Sequence, residues 1–243
     1  MEQLKQQLQA AGILYKENEP LAAHCTFKIG GPARLFVQPV DHAQLCRAVA
    51  LCKAQSVRYY LLGNGSNILF ADEGYDGAVL DISSMQDAVE VHGTQLTAGA
   101  GVRLSALCKT ALEHGLTGLE FAHGIPGTLG GGVYMNAGAY GGELRQVVRQ
   151  VTFLHADGRL ETFENGDCAF GYRTSVFENM PGVIVSARLA LQPGEAAAIE
   201  AKMRELMEKR RASQPLELPS AGSTFKRPAG HFAGPLIQDA GLK

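Results

Sequence analysis

Apolar positions along this chain alternate between a helical and a strand period, and the switches mark its elements. Leu4 and Leu8 stand four apart in a polar opening segment, which predicts a helix packed by one stripe; with Ile13 they tie residues 1–19, a helix and its exit, to the body. Ala33 to Pro39 reads as a short strand. Asp41 is placed to cap a helix running to Ala54, with Leu45, Val49 and Cys52 on one face. Val57 to Leu62 reads as a buried strand, so residues 33–62 form a strand–helix–strand unit. Ala78 to Ile82 and Ala88 to Ala98 read as strands, the latter turning at His92, Gly93 and Thr94. Arg103 to His114 predicts a helix with Leu104, Leu107, Cys108 and Leu112 inward and Gly115 as its stop.

A further helix is expected to start near Pro126 or Thr128. Val147 to His155 and Leu160 to Phe163 pair as a hairpin around Asp157 and Gly158, and Val183 to Leu191 alternates as a closing strand. Pro193 and Gly194 look like a linker to a charged helix, Glu195 to Arg211. Residues 212–222 read as loop, Thr224 to Lys226 as a short strand and Pro235 to Ala240 as a helix. The pattern is α+β, in two regions of roughly 20–192 and 193 to the end. The second region is short for an independent core, and the chain reads as stopping inside it at Lys243.

Composition narrows the function more than the fold. The chain has 243 residues, is 46% hydrophobic and carries a formal net charge of −2, which argues against general nucleic-acid or membrane-surface binding. No apolar run approaches the ~20 residues of a membrane span, and residues 1–10 lack the apolar core of a signal peptide. The five cysteines are odd in number and form no Cys-x-x-Cys pair, so they read as reduced thiols of a cytoplasmic protein. The seven histidines show no metal-ligand spacing, and no metal site is expected.

Candidate chemistry lies in two glycine-rich loops. The first is Leu62, Gly63, Asn64, Gly65, Ser66 and Asn67. The second runs from Gly124, Ile125, Pro126, Gly127 and Thr128 through Gly130, Gly131, Asn136, Ala137 and Gly138 to Gly142. Backbone without Cβ lets a ligand touch the main chain, and the N–H donors left over suit an anion such as a diphosphate. Neither loop is a P-loop, and Gly63 and Gly65 fail the Rossmann spacing. The alternative is that these glycines only make tight turns. Arg173, set among Phe170, Tyr172 and Phe177, is either a clamp for a substrate carboxylate or an ordinary residue paired with an acid such as Glu178 or lying at the surface. Ser223 follows Gly222 and lies close to Lys226 and Arg227. It is either a turn residue or a functional hydroxyl, but not a Gly-x-Ser-x-Gly nucleophile.

Six motifs then fall in one order: Cys25 to Ala33, Leu62 to Asn67, Gly124 to Gly131, Asn136 to Gly141, Gly171 to Phe177 and Gly222 to Pro228. Together they resemble the UDP-N-acetylenolpyruvoylglucosamine reductases of bacterial peptidoglycan synthesis, over essentially the whole chain. The resemblance implies an FAD-binding fold of the vanillyl-alcohol-oxidase type, with two α/β subdomains of roughly 20–85 and 86–192 inside an FAD-binding region 1–192. A substrate-binding domain would start at 193 and be incomplete. It further implies noncovalent FAD held by the two loops, NADPH as co-substrate, and hydride delivery from the flavin N5 to the enolpyruvyl group of a UDP-sugar, yielding UDP-N-acetylmuramate.

By that resemblance Arg173 stabilises the enolate, Ser223 donates the proton, and Tyr172, Arg173, Lys226 and Arg227 bind substrate. A catalytic Glu near the family's C-terminus has no counterpart here, which puts the activity of this chain in question. The short run between Phe177 and Val183 matches the branch without an extra substrate-capping loop. A monomer is expected, with no nucleic-acid or membrane partner. Two other readings stay open: another FAD enzyme of the same fold with covalently attached flavin, His123 bordering the second loop, and a nucleotide-binding module without activity.

Overall fold

The computed structural model describes residues 1–85, 88–228 and 230–242. Its first sheet has the order β1–β2–β4–β3, built from β1 (Leu14–Pro20), β2 (Pro32–Gln38), β3 (Tyr59–Leu62) and β4 (Tyr75–Asp81). The chain enters through α1 (Glu2–Ala10), which buries Leu4 and Leu8, and Ile13 is buried beyond it. β1 was not foreseen as a strand. Its sequence is polar and Leu14 is exposed, so only antiparallel pairing with β2 makes it one.

α2 (His42–Ala54) joins β2 to β3, and the Asp41 carboxylate accepts from the Gln44 N–H at 2.8 Å as its cap. The strand–helix–strand unit forms, but β4 inserts between β2 and β3, parallel to both. Gly77 to Asp81 of β4 are all buried, as a central parallel strand requires. That leaves β3 as a half-exposed edge rather than the buried strand expected from Val57 to Leu62.

The second sheet is antiparallel throughout, in the order β11–β10–β12–β6–β5, from β5 (Val89–His92), β6 (Gln95–Gly99), β10 (Val148–His155), β11 (Leu160–Glu164) and β12 (Gly182–Ala190). Both predicted hairpins form, the first closed by Gly93 and Thr94 between His92 and Gln95. α3 (Leu104–Glu113) and α4 (Leu129–Tyr134) pack with this sheet, through Leu107 and Val133 among others. Two short pairs complete the body: β7 (Leu116–Thr117) pairs with β13 (Gln192–Pro193), and β8 (Gly138–Ala139) pairs with β9 (Gly142–Glu143). Pro193 and Gly194 are therefore no free linker: besides the β13 pairing, the Gly194 N–H donates to the Gly115 carbonyl at 2.8 Å.

α5 (Ala196–Ser213) sets Ile199, Met203 and Leu206 on one stripe, and all three are buried. Ile199 and Met203 join the same core cluster as Leu107 and Leu119, so packing is continuous across the expected 192/193 division. The expected 85/86 division adjoins residues 86–87, which lie outside the described ones, as does Lys243. Residues 214–228 contain neither helix nor strand, which corrects the expected strand at Thr224 to Lys226. That segment reaches no sheet edge, and Phe225 stays exposed. α6 (Ala233–Asp239) follows, with none of its residues buried. Among the described residues no helix is long and apolar enough to cross a membrane.

Candidate functional site

The first glycine loop leaves the end of β3 as a run of unused donors. Among the described residues, the N–H groups of Gly63, Asn64, Gly65, Ser66 and Asn67 donate no hydrogen bond. Such a run of unused N–H groups, turned by Gly65 at φ 61°, has the donors of a nest of the kind that suits an anion. The loop is held from behind. Thr26 donates its N–H to the Gly65 carbonyl at 3.0 Å, and a Cβ on Gly65 would overlap the His24 carbonyl oxygen. Gly65 is thus demanded by packing and by its φ.

The second loop faces the first. Asn64 donates through Nδ2 to the Pro126 carbonyl at 2.9 Å, and Asn67 reaches the Met135 sulfur at 3.7 Å. A Cβ on Gly63 would meet Thr128 Oγ1 at 2.6 Å, so the loops touch there. Thr128 caps α4 by accepting from Gly131 N–H at 3.4 Å. Most of this loop's donors are used internally, which corrects the expectation of free donors in both loops: Ile125 bonds Ala122, Gly127 bonds Ile125, Leu129 bonds Val102 and Gly130 bonds Ala100. The second loop is a wall and the first is the donor nest. Gly127, like Gly131 and Gly141, meets no packing demand. A Cβ on Gly127 would meet Leu104, Ile125 and Ser66 Oγ only at 3.8–3.9 Å, so the protein itself does not require glycine there.

Asn136 is fully buried, and its side chain is committed to protein partners. Nδ2 donates to the Glu143 carboxylate at 2.7 Å and the Gly171 carbonyl at 2.9 Å, and Oδ1 accepts from Arg145 N–H at 3.0 Å. Its main-chain carbonyl accepts from Arg173 Nη1 at 3.4 Å, and the Gly138 carbonyl accepts from Arg173 Nη2 at 2.6 Å. Asn136 and Arg173 both hold left-handed backbone, φ 44° and 57°. Asn136 is therefore the joint that carries the Arg173 turn. Arg173 forms no ion pair with Glu178, whose carboxylate accepts from Thr174 instead at 2.7 Å. Tyr172 is exposed, with the Arg173 guanidinium 5.4 Å from its ring centre.

The C-terminal segment bridges these parts. Thr26 Oγ1 donates to the Ser220 carbonyl at 2.5 Å and the Ser220 N–H returns to the Thr26 carbonyl at 3.2 Å. Gly222 then passes Ser66 and Asn67, a Cβ there lying 3.8 Å from both. The Arg227 N–H donates to the Tyr172 hydroxyl at 3.2 Å. Ser223, exposed, stands between the attachment to the nest and the attachment to the Tyr172–Arg173 turn. Lys226 is exposed without an ion pair among the described residues, whereas Arg227 stacks 3.8 Å from the Phe232 ring centre and donates to the His231 carbonyl. An open, mainly apolar concavity of about 470 Å³ is lined by Phe27, Ile29, Leu69 and Phe70.

Arg210 carried no signal in the sequence, and His123 was marked there only as bordering the second loop. Arg210, in the last turn of α5, lies against Gly124, whose Cβ would stand 3.2 Å from the Arg210 Cδ and 3.5 Å from its Nη1. Burial pulls its pKa below the ordinary value, against the opposing influence of Tyr140. The buried Nδ1 of His123, the residue before Gly124, has no partner, and burial lowers its pKa. Three of the cysteines are the reverse of activated thiols: burial pushes Cys52 up to about 11, and Cys108 and Cys168 up to about 12.

Comparison with known proteins places this geometry. A family described as an FAD binding domain matches residues 33–164, and one described as the C-terminal domain of UDP-N-acetylenolpyruvoylglucosamine reductase matches residues 214–243. The chain is 47% identical over 231 residues to the UDP-N-acetylenolpyruvoylglucosamine reductase of Limosilactobacillus fermentum, covering 95% of this chain and 77% of that protein. It is 44% identical to the protein of that name from Caldanaerobacter subterraneus, covering 96% and 76%. The crystal structure of UDP-N-acetylenolpyruvylglucosamine reductase from Thermus caldophilus aligns with a TM-score of 0.77 at 32% identity, covering 95% of this chain and 80% of that one. A Physcomitrella patens BBE-like 1 protein shares the fold, with a TM-score of 0.60 at 20% identity over 78% of this chain and 44% of that one.

Proposed function

We propose that this chain, which belongs to the UDP-N-acetylenolpyruvoylglucosamine reductase family, is an FAD-dependent oxidoreductase that reduces the enolpyruvyl group of a UDP-sugar to UDP-N-acetylmuramate for peptidoglycan synthesis. The observation that carries this reading is the bridge made by residues 220–227, which joins the donor nest to the Tyr172–Arg173 turn through Thr26 and Tyr172. On this reading the bridge draws the first glycine loop, the Arg173 guanidinium and the Ser223 hydroxyl into one site. The residues fit FAD: the nest at Gly63 to Asn67 suits a diphosphate, and the bare backbone at Gly127 has no packing reason. Bound FAD, reduced by NADPH, supplies the hydride.

The chain's own residues then have distinct tasks. Hydride addition leaves an enolate beside the substrate carboxylate, and a fixed cation stabilises that state more than the ground state. Arg173 spends two of its five N–H donors on the Asn136 and Gly138 carbonyls, which fixes the guanidinium and leaves three for a carboxylate. Ser223, exposed beside Gly222, holds the proton for the carbanionic carbon. Tyr172 lines the same place, and the free ammonium of Lys226 suits the substrate diphosphate. Arg227 joins it once released from Phe232.

By the same reading, residues 1–192 form the FAD-binding region, with subdomains of roughly 20–85 and 86–192, and the substrate-binding domain starts at 193. Ile125, Pro126, Thr128, Gly130, Gly131, Ala137 and Gly138 wall the flavin. The protein works as a cytoplasmic monomer on a UDP-sugar, with no nucleic-acid or membrane partner.

Rapid mixing of the FAD-loaded chain separates the steps. Ser223→Ala is expected to keep flavin bleaching by NADPH and to slow reoxidation by enolpyruvyl-UDP-GlcNAc by more than the ~10²–10⁴ usual for a general acid. Arg173→Lys is expected to slow the same second step, since lysine lacks the two-pronged geometry. Equal slowing of bleaching in both variants, or unchanged reoxidation, refutes the assignment.

A further inference from the structure

Arg210 is a charge at the edge of the site, with Tyr140 acting on it but making no hydrogen bond to it. It projects from the last turn of α5 onto Gly124, at the mouth of the second glycine loop. Among the described residues its guanidinium makes no ion pair and no hydrogen bond; only its main-chain carbonyl is used, by the Gln214 N–H and by Ser213 Oγ. The side chain is half-buried. A guanidinium withdrawn from water without a counter-charge is costly, and proteins keep such groups paired. Beside it, His123 buries an Nδ1 that also has no partner. Two residues beyond Gly124, the Pro126 carbonyl ties this loop to Asn64 of the donor nest. The nest offers main-chain dipoles but no full positive charge, since Gly63 to Asn67 contain no basic residue.

We propose that Arg210 supplies the missing charge for a bound diphosphate, reaching across Gly124 from the helix that leads into the C-terminal segment. The cost of the unpaired cation is met when the anion arrives, so ligand binding also fastens the end of α5 to the second loop. This inference rests on the reading of the site given above. Two diphosphates enter that chemistry, the cofactor's and the UDP-sugar's, and the shared feature is the pyrophosphate.

The test uses Arg210→Met and Arg210→Lys in the whole chain, stripped of flavin and then titrated. In the flavin-free protein, Arg210→Met is expected to unfold at the same or a higher temperature than the parent, because it removes an uncompensated charge. If the cofactor's diphosphate is the partner, FAD affinity falls about 10- to 100-fold, the loss expected for a charge-assisted hydrogen bond, while riboflavin affinity is unchanged. If the substrate's is the partner, FAD affinity holds and the affinity of the FAD-loaded chain for UDP-N-acetylglucosamine falls by the same factor. Arg210→Lys restores part of either loss.

Unchanged affinity for FAD and for UDP-N-acetylglucosamine overturns the proposal. So does an equal loss of FAD and riboflavin, which would place Arg210 against the ring system, or a flavin-free Arg210→Met variant that unfolds well below the parent, which would make Arg210 a structural residue. Failure of the parent chain to bind FAD strikes instead at the reading of the site, which keeps the two failures apart.

Discussion

Replacing Asn136 by alanine removes the joint beneath Arg173, and the size of the loss can be worked out. Three side-chain hydrogen bonds go, one to the Glu143 carboxylate at 2.7 Å and two to main-chain groups at 2.9 and 3.0 Å. At about 2 kcal/mol for the charged partner and about 1 kcal/mol for each neutral one, the sum is about 4 kcal/mol. Asn136 also sits at φ 44°, a conformation that costs alanine about 1 kcal/mol more. The Asn136→Ala loss is therefore about 5 kcal/mol, and Asn136→Gly, which tolerates that φ, loses about 1 kcal/mol less. For a chain of this length each kcal/mol moves the unfolding midpoint by about 2–4 °C, so the alanine variant is expected to unfold about 10–20 °C below the parent. Thermal unfolding of the flavin-free chain, followed by far-UV circular dichroism, measures this directly. An alanine variant within about 2 °C of the parent, under about 1 kcal/mol on the same conversion, would falsify the claim that Asn136 carries the turn. Below its melting temperature the variant is expected to keep FAD but to lose substrate-dependent reoxidation, because the Gly171 carbonyl is no longer pinned by the Asn136 side chain and the turn that carries Arg173 loosens.

Two further predictions come from the same geometry. Gly65→Ala is expected to destabilise the chain by about 2 kcal/mol or more, through its left-handed φ and its overlap with the His24 carbonyl. Gly127→Val is expected to change stability by under about 1 kcal/mol yet to lower FAD affinity at least about 10-fold by filling the space beside Ser66; tight FAD binding by Gly127→Val, or an unaltered melting curve for Gly65→Ala, contradicts that division of roles. Burial raises Cys108 and Cys168 to about 12 and Cys52 to about 11, so at pH 8 these groups stay thiols, with a thiolate fraction on the order of 10⁻³ to 10⁻⁴. They are expected to resist iodoacetamide in the folded chain, to react faster as the pH rises towards those values, and to label fully in denaturant. Rapid native labelling of all five cysteines at pH 8 refutes this burial.

Much of the fold was legible because its signals are local. The Asp41 cap, the Gly93–Thr94 turn, the Gly115 stop, the Leu107 stripe and the helix start near Thr128 each depend on a few neighbouring residues, and each appears where the sequence put it. What failed depended on partners distant in sequence. β1 is a strand only because β2 pairs with it, β3 is an edge only because β4 arrives between it and β2, and the segment at Thr224 to Lys226 stays irregular because no edge meets it.

The site divides the same way. The amino-acid sequence by itself determined the glycine loops, the motif order and the candidates Arg173 and Ser223, because residue type and spacing are properties of the chain. Tertiary structure alone decided which donors are free. Among the described residues it spent most of the second loop's N–H groups on other main-chain carbonyls and left those of Gly63 to Asn67 open. It turned Asn136 inward as a joint, and set Arg210 beside Gly124, 86 positions back along the chain. A hydrogen bond or an unpaired charge is a relation between positions in space, and the spacing of residues along the chain does not record which donors the folded backbone has already used.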